Sequence, residues 1–319
     1  VSDALAARLR AGDRRALARF ISLLEADDPG ARAVLRALRR SSAPSQTHVI
    51  GITGPPGSGK STLVARLARL ASHHGRRVGI VAIDPTSPVS GGAFLGDRVR
   101  MQELATDPNV FVRSMATRGA VGGLAHAVDD VIAAFQAFGM DCIFVETVGT
   151  GQDELAIVSS AETILLVHIP GLGDAIQASK AGIIELADIH VVNKADRPEA
   201  DRLVAELQAV LAAVPAQSGW RPPVLKVVAL EGRGVEAVAA ALDEHRRYLC
   251  ASGELERRRR AATERRVLER ARDLLLRDLL ERHPAELADL VEAVLAGTED
   301  VHSAAQQLAE RARTGGHCV

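Results

Sequence analysis

Residues 47–71 run from Thr-His-Val-Ile-Gly-Ile-Thr into Gly54-Pro55-Pro56-Gly57-Ser58-Gly59-Lys60-Ser61, and then into a helical stretch from Thr62 to Ala71. An apolar strand, a glycine-rich loop with GxxxxGK[ST] spacing and a helix in direct succession leave few folds open. A loop whose amides converge on phosphate oxygens needs backbone angles and close approaches that a Cβ forbids, which accounts for Gly54, Gly57 and Gly59. The helix N-terminus adds its own donors and partial positive charge. In this frame Lys60 reaches the β- and γ-phosphates and the Ser61 hydroxyl binds Mg²⁺, with Pro55, Pro56, Ser58 and Thr62 in the same nucleotide-binding stretch. Only four residues of the chain are lysine (Lys60, Lys180, Lys194 and Lys226) against a large excess of arginine. A lysine where a compact ammonium is needed therefore points to site chemistry.

The rest of the chain agrees with a strand, loop and helix architecture. From 47 to about 230, short apolar runs (THVIGIT, RVGIVAI, VFVRS, CIFVET, TILLVHI, IHVVN, VLKVV) alternate with helical stretches. This predicts an α/β domain with a mostly parallel sheet flanked by helices. Aromatics are only 3% of residues, so Ala, Leu, Val and Ile must build the core, which suits helices on a buried sheet. Residues 1–45 carry helical periodicity, with Asp28-Pro29 placed as an N-cap and first-turn pair. From 233 onward the pattern is helical again. The division is an N-terminal helical arm (1–45), a P-loop domain (46–232) and a C-terminal helical region (233–319). Within that last region the run Arg257 to Arg260 reads as a solvated helix face. Leu274, Leu275, Leu279, Leu280, Leu287, Leu290, Val291 and Val294 offer more apolar surface than two short helices need, which predicts a homodimer.

Charge and cysteine usage narrow the setting. The formal net charge is −1, without the positive excess of a nucleic-acid binder. No window approaches eighteen uncharged apolar residues, so no membrane span is expected. The charged N-terminus lacks a signal-peptide core. Cys142, Cys250 and Cys318 are odd in number and far apart, which fits a reducing compartment and predicts a cytoplasmic protein.

Two further strand ends carry chemistry. Asn193-Lys194-Ala195-Asp196 is an NKxD sequence at the end of the buried strand IHVVN. A carboxylate at 196 accepts two hydrogen bonds from the N1–H and N2–H₂ edge of guanine, and adenine offers no matching donors. Asn193 braces the loop and Lys194 lies along the base. A turn whose amide meets the guanine O6 appears only in weak form as Val228-Ala229-Leu230, where the Ala229 amide could serve. Glu146, closing CIFVET, with Gly149 three residues later, reads as a Mg²⁺ partner and a γ-phosphate amide. Asp84 ends RVGIVAI, where open sheets place ligand residues. Asp97 follows a loop rich in Gly, Ser and Pro that suits a nucleotide-ordered switch, though taken alone it fits a helix cap equally well. Arg118 fits either charge stabilisation or solvation. Gln152, displaced from Gly149, predicts slow intrinsic hydrolysis.

Together these strings resemble the MeaB/MMAA/ArgK-type GTPases, the cobalamin-trafficking chaperones of methylmalonyl-CoA mutase. The resemblance rests on GPPGSGKST, on Asp84-Pro85-Thr86-Ser87-Pro88 running through Gly91-Gly92 to Gly96-Asp97-Arg98-Val99-Arg100-Met101, on Arg113-Ser114-Met115-Ala116-Thr117-Arg118-Gly119, and on Glu146-Thr147-Val148-Gly149-Thr150-Gly151-Gln152. Gly173-Asp174 with Gln177, Lys180 and Gly182 completes it. It implies a SIMIBI-class G domain between a helical arm and a helical dimerisation region, with GTP/GDP and Mg²⁺ as cofactors. It also implies Asp84, Asp97 and Glu146 around the metal, catalysis by Lys60, Glu146, Gly149 and Asp84, and a switch over 170–180 that includes Asp174, Gln177 and Lys180. The implied task is gated delivery of adenosylcobalamin to an acyl-CoA mutase, with protection or reactivation of that enzyme. Two other readings are a phosphotransferase acting on an amino-acid transport component and a nucleotide-bound scaffold with negligible turnover. Asp188-Ile189-His190 begins like a DxHxxG corrinoid signature, but Asn193 stands where glycine is required, so the segment is expected to be a buried strand.

Overall fold

The computed structural model describes residues 2–41, 46–84, 104, 106–116, 123–147, 160–171, 181–213 and 219–314. Contact density divides the chain into two compact units, Val1–Ala262 and Thr263–Val319.

The first unit opens with helices α1 (Ser2–Arg10), α2 (Arg14–Glu25) and α3 (Pro29–Ser41). Asp13 caps α2 by accepting from the amides of Arg15 and Ala16 at 2.9 and 3.0 Å. Asp28 accepts from the Ala31 amide at 2.8 Å just ahead of Pro29, the start signal read from the sequence. The buried stripe of α2, which includes Leu17, Phe20, Ile21 and Leu24, shares one core cluster with α5 (Gly123–Phe138) through Val131, Ile132 and Phe135. The Arg32 guanidinium grips the Asp130 carboxylate with two bonds of 2.7 Å. The N-terminal helices are therefore a packed layer of the first unit, held by core burial as well as by a bidentate ion pair.

The sheet has strands β1 (His48–Thr53), β2 (Val78–Asp84), β3 (Val110–Ala116), β4 (Cys142–Glu146), β5 (Thr163–His168), β6 (Ile189–Asn193) and β7 (Val224–Val227). All are parallel, in the order β3-β2-β4-β1-β5-β6-β7. Each apolar run read from the sequence became a strand. The near-continuous runs follow from burial on both faces. Val49, Val81, Ile143 and Val145 pack with α5, while Ile50, Ile52, Ile80 and Leu165 pack with α4 (Lys60–His73) and α8 (Val235–Ser252). The short α6 (Ala181–Leu186) and α7 (Ala200–Ala213) complete the cover. β1 sits centrally, with β4 on one side and β5 on the other, so its C-terminal end opens at a topological switch point.

Helix α8 follows residue 232 in sequence, yet Val235, Val238 and Leu242 belong to the sheet core. The first unit accordingly runs to Ala262, into α9 (Glu254–Arg282). The arginine run at the start of α9 departs from the solvated face expected for it. Arg258 forms two bonds of 2.8 and 2.9 Å with Asp188, and Arg259 and Arg246 meet Glu162 at 2.7 and 2.5 Å. Asp188 and Glu162 are buried at the N-terminal ends of β6 and β5, so two of the four arginines neutralise carboxylates that the sheet cannot solvate. Burial alone would raise the Asp188 pKa, but hydrogen bonds and charge from His245 and Arg258 reverse this and hold it below the usual carboxylate range. His190 is fully buried in β6, as expected of a strand residue.

The second unit contains the rest of α9, α10 (Pro284–Leu295) and α11 (Val301–Thr314). His283 precedes Pro284 at the first turn of α10, and Asp300 caps α11 through the amides of His302 and Ser303. Among the described residues, no helix is long and apolar enough to cross a membrane.

Candidate nucleotide-binding site

The loop after β1 has the backbone its sequence demanded. Gly54 has φ 143°, and a Cβ there would lie 2.2 Å from the Val167 carbonyl oxygen of β5. Gly59 has φ 87° and caps α4, and a Cβ there would meet Asn193 Nδ2 at 2.3 Å. Both positions exclude any side chain, by conformation and by space. Lys60 is buried, and its ammonium donates to the carbonyls of Gly54 (2.8 Å) and Pro55 (3.1 Å), spanning the loop it is meant to serve. Ser58 is fully buried, and its hydroxyl is without a hydrogen-bond partner among the described residues.

Ser61 and Glu146, 85 positions apart, are brought together, the serine hydroxyl donating to Glu146 Oε1 at 2.5 Å. Glu146 reaches this spot because β4 pairs with β1 in register Ile52↔Glu146 and ends level with the loop. A hydroxyl and a carboxylate at the foot of a phosphate loop are hard oxygen donors of the kind Mg²⁺ takes, so this pair fits the ion. Asp84 closes β2, two residues beyond the Ala82↔Glu146 pairing, which places its backbone at the same sheet edge. No group of three or more His, Cys, Asp or Glu able to hold a metal is present among the described residues. Asp97, Gly149, Asp174, Gln177 and Lys180, with Arg118 and Gln152, lie outside the described residues.

The NKxD residues begin at Asn193, the last residue of β6. Asn193 is buried and bridges two loops: Nδ2 donates to the Ser58 carbonyl (2.7 Å) and Oδ1 accepts from the Ala229 amide (3.0 Å). Lys194, with φ 57°, donates to the Gly57 carbonyl at 2.9 Å. The Ala195 amide donates to Val227 O at 3.0 Å, and Asp196 is exposed beside them. The phosphate loop and the base loop are thus one hydrogen-bonded frame. The Ala229 amide, expected as a donor for guanine O6, here donates to Asn193 Oδ1, since a buried asparagine oxygen needs a donor and this amide lies beside it. A residue missed in the sequence also joins the frame. Arg66, on the second turn of α4, donates to the carbonyls of Ala229 (3.1 Å) and Leu230 (2.5 Å). In so arginine-rich a chain, nothing local marked it out.

The family model for the methylmalonyl-CoA mutase-associated GTPase MeaB matches residues 17–284. The chain belongs to the MeaB family of GTPases. A Pyrococcus horikoshii protein named for GTPase activity alone is 45% identical over 312 residues, covering 97% of this chain and 98% of that one. GTPase ArgK of Escherichia coli K12 is 34% identical, covering 78% and 77%. The mitochondrial methylmalonic aciduria type A homologue of Mus musculus is also 34% identical, covering 81% of this chain and 66% of its own. Among solved structures, a LAO/AO transport system kinase aligns with TM-score 0.74 at 25% identity over 98% of this chain and 97% of that one.

Proposed function

We propose that this MeaB-family chain binds and hydrolyses GTP with Mg²⁺, and that it uses the cycle as a chaperone for a methylmalonyl-CoA mutase-type enzyme by gating adenosylcobalamin delivery and protecting or reactivating the enzyme. The observation that carries the nucleotide reading is the frame in which Asn193 and Lys194 are bonded to the carbonyls of Ser58 and Gly57. Triphosphate and base are then held by parts that cannot move independently.

In this reading the Lys60 ammonium exchanges its two carbonyl partners for β- and γ-phosphate oxygens, a swap that keeps a buried cation paired throughout. Ser61 and Glu146 would hold Mg²⁺, and the bound ion supplies charge neutralisation at the β- and γ-phosphate oxygens. Water attacks the γ-phosphorus, the bond to the β–γ bridging oxygen breaks, and GDP leaves with that electron pair. Asp84, Asp97 and Gly149 are assigned around the metal and γ-phosphate, and Asp174, Gln177 and Lys180 to partner signalling, by family resemblance. The mutase partnership draws support from the family's description and from the mouse relative's name. A cytoplasmic location and a homodimer formed through the C-terminal helices belong to the same proposal.

The test is calorimetric titration with GTP and ATP, followed by turnover with and without a cobalamin-dependent acyl-CoA mutase. Selective GTP binding and mutase-accelerated phosphate release are expected. Equal affinity for ATP would sink the base-site reading, and mutase-independent turnover would sink the partnership. The transport-kinase name of the structural neighbour keeps a phosphotransferase testable, and label passing from γ-phosphate to a protein acceptor would establish it. No turnover under any condition would leave a nucleotide-bound scaffold.

A further inference from the structure

We propose that His48, Thr163 and His245 form a proton relay that carries a proton inward from His48 to the buried His245 facing Asp188, and so makes the anchorage of α9 sensitive to acid. The relay stands at the N-terminal ends of β1 and β5, whereas the phosphate and base loops leave from the C-terminal ends of β1 and β6, and it does not depend on the nucleotide reading above. Thr163 Oγ1 sits between two imidazoles, 2.7 Å from His48 Nε2 and 2.8 Å from His245 Nδ1. On the far side of the second ring, His245 Nε2 faces Asp188 Oδ1 at 3.3 Å, an ion-pair distance off the line of a hydrogen bond, and has no hydrogen-bond partner among the described residues. Thr163 and His245 are 0% exposed and His48 is 8% exposed, so His48 is the outer member.

The protons of this chain have one order. A nitrogen lone pair aimed at a carboxylate is repelled, so in neutral His245 the hydrogen is on Nε2 and Nδ1 accepts. A hydroxyl has one proton to give. Thr163 gives it to His245 Nδ1 and accepts from His48 Nε2–H. When a proton binds at His48 Nδ1, the Nε2 proton passes to Thr163 Oγ1 as the hydroxyl proton passes to His245 Nδ1. The chain ends with His245 cationic against Asp188 and His48 neutral again, its hydrogen now on Nδ1. His48 does not keep the charge, because burial, with the Arg246 charge second, pushes its pKa down to about 3. The surrounding charges decide what the proton meets. Arg246 of α8 and Arg259 of α9 are answered by Glu162, and Arg76, beyond α4, by Asp243. Tyr248 and Trp220 cover the ring of His245. Arg258, backed by Glu254, shares Asp188 with His245. A cationic His245 therefore competes with Arg258 for one carboxylate, which loosens the start of α9.

The test reads Trp220, the single tryptophan of the chain, whose ring lies 4.7 Å from that of His245 between centroids. A cationic imidazole at this range quenches indole emission far more than a neutral one. In the full chain a downward pH jump should quench the emission, and His245→Gln should abolish the quench. His48→Gln keeps a donor for Thr163 but has no second ring nitrogen to take up the incoming proton, and Thr163→Val removes the middle of the relay. Each should slow the quench by at least ~10-fold. A quench as fast in both variants as in the unmodified chain means that protons arrive through opening of the structure, and overturns the relay. So does an absent quench, or one that survives His245→Gln. As a measurement that needs no variant, imidazole ¹⁵N NMR at neutral pH should show the hydrogen on Nε2 of both His245 and His48. Finding it on Nδ1 of His245 would reverse the chain and overturn the proposal.

Discussion

In the proposed site, Asp196 is the exposed carboxylate that sets nucleotide choice, its surroundings being fixed by Asn193 and Lys194. Replacing it with Asn exchanges one acceptor for a donor facing the N2 position, so guanine loses a charge-assisted pair and meets a clash of donors, while xanthine, with oxygen at C2, gains a partner. GTP affinity should fall by roughly 100-fold or more and xanthosine triphosphate affinity should rise, as read by competition titration. Ser61→Ala removes the hydroxyl that meets Glu146 and should lower Mg²⁺-dependent turnover by at least ~10²-fold while leaving GDP binding in the absence of metal largely intact, a split that simple misfolding would not produce. The placing of Lys60 and Ser61 at the loop after β1, and of Asp196 beyond β6, was legible because the spacing that sets it is local. The Ala229 bond to a buried asparagine oxygen 36 positions away was not legible, and Arg66 was overlooked because its acceptors lie more than 160 positions along the chain.

The same contrast holds for elements. The strands could be read directly, since burial on both faces erases alternation and leaves plain apolar runs. The arginines at the start of α9 could not, because a charge run looks the same whether water or a carboxylate from another element answers it. Removing Arg258 leaves Asp188 buried with its chief cationic partner gone, so Arg258→Ala should cost about 3–5 kcal/mol in denaturant unfolding. The histidines make a separate, pH-dependent statement. Burial, with the Arg246 charge second, pushes His48 down to about 3, and burial beside His190 does the same to His168. Each stays neutral in the folded chain, whereas in the unfolded chain each takes up a proton as pH drops below about 6.5. Stability is therefore fully present above that pH and falls on acidification, by up to ~1.4 kcal/mol per pH unit per group, until the folded pKa is reached. His48→Gln, which can still bond the Thr163 hydroxyl that His48 Nε2 meets at 2.7 Å, should flatten the dependence of unfolding free energy on pH between about 6 and 4. An unchanged slope would show that His48 does not carry it.

For the whole molecule the telling feature is the surface of the second unit. Val267, Leu268, Leu274, Leu275, Leu276 and Leu280 of α9 are all at least 43% exposed, and Leu275 reaches 71%. Val267 and Leu274, like Leu268 and Leu275, stand seven apart, so they repeat along one side of the helix. So much apolar surface on so small a unit is unusual for a chain that stays alone, and a self-complementary helical face is the simplest way to cover it. Because these side chains already face solvent within the chain, a charge placed among them strains nothing inside the protomer. Leu275→Glu should leave the thermal transition of the first unit and its GDP affinity unchanged while converting a dimeric mass, by light scattering, to a monomeric one. If the unmodified chain is itself monomeric, the homodimer is wrong and this face must serve a different partner. If the variant remains dimeric, two copies meet elsewhere and this run of leucines plays no part in holding them together.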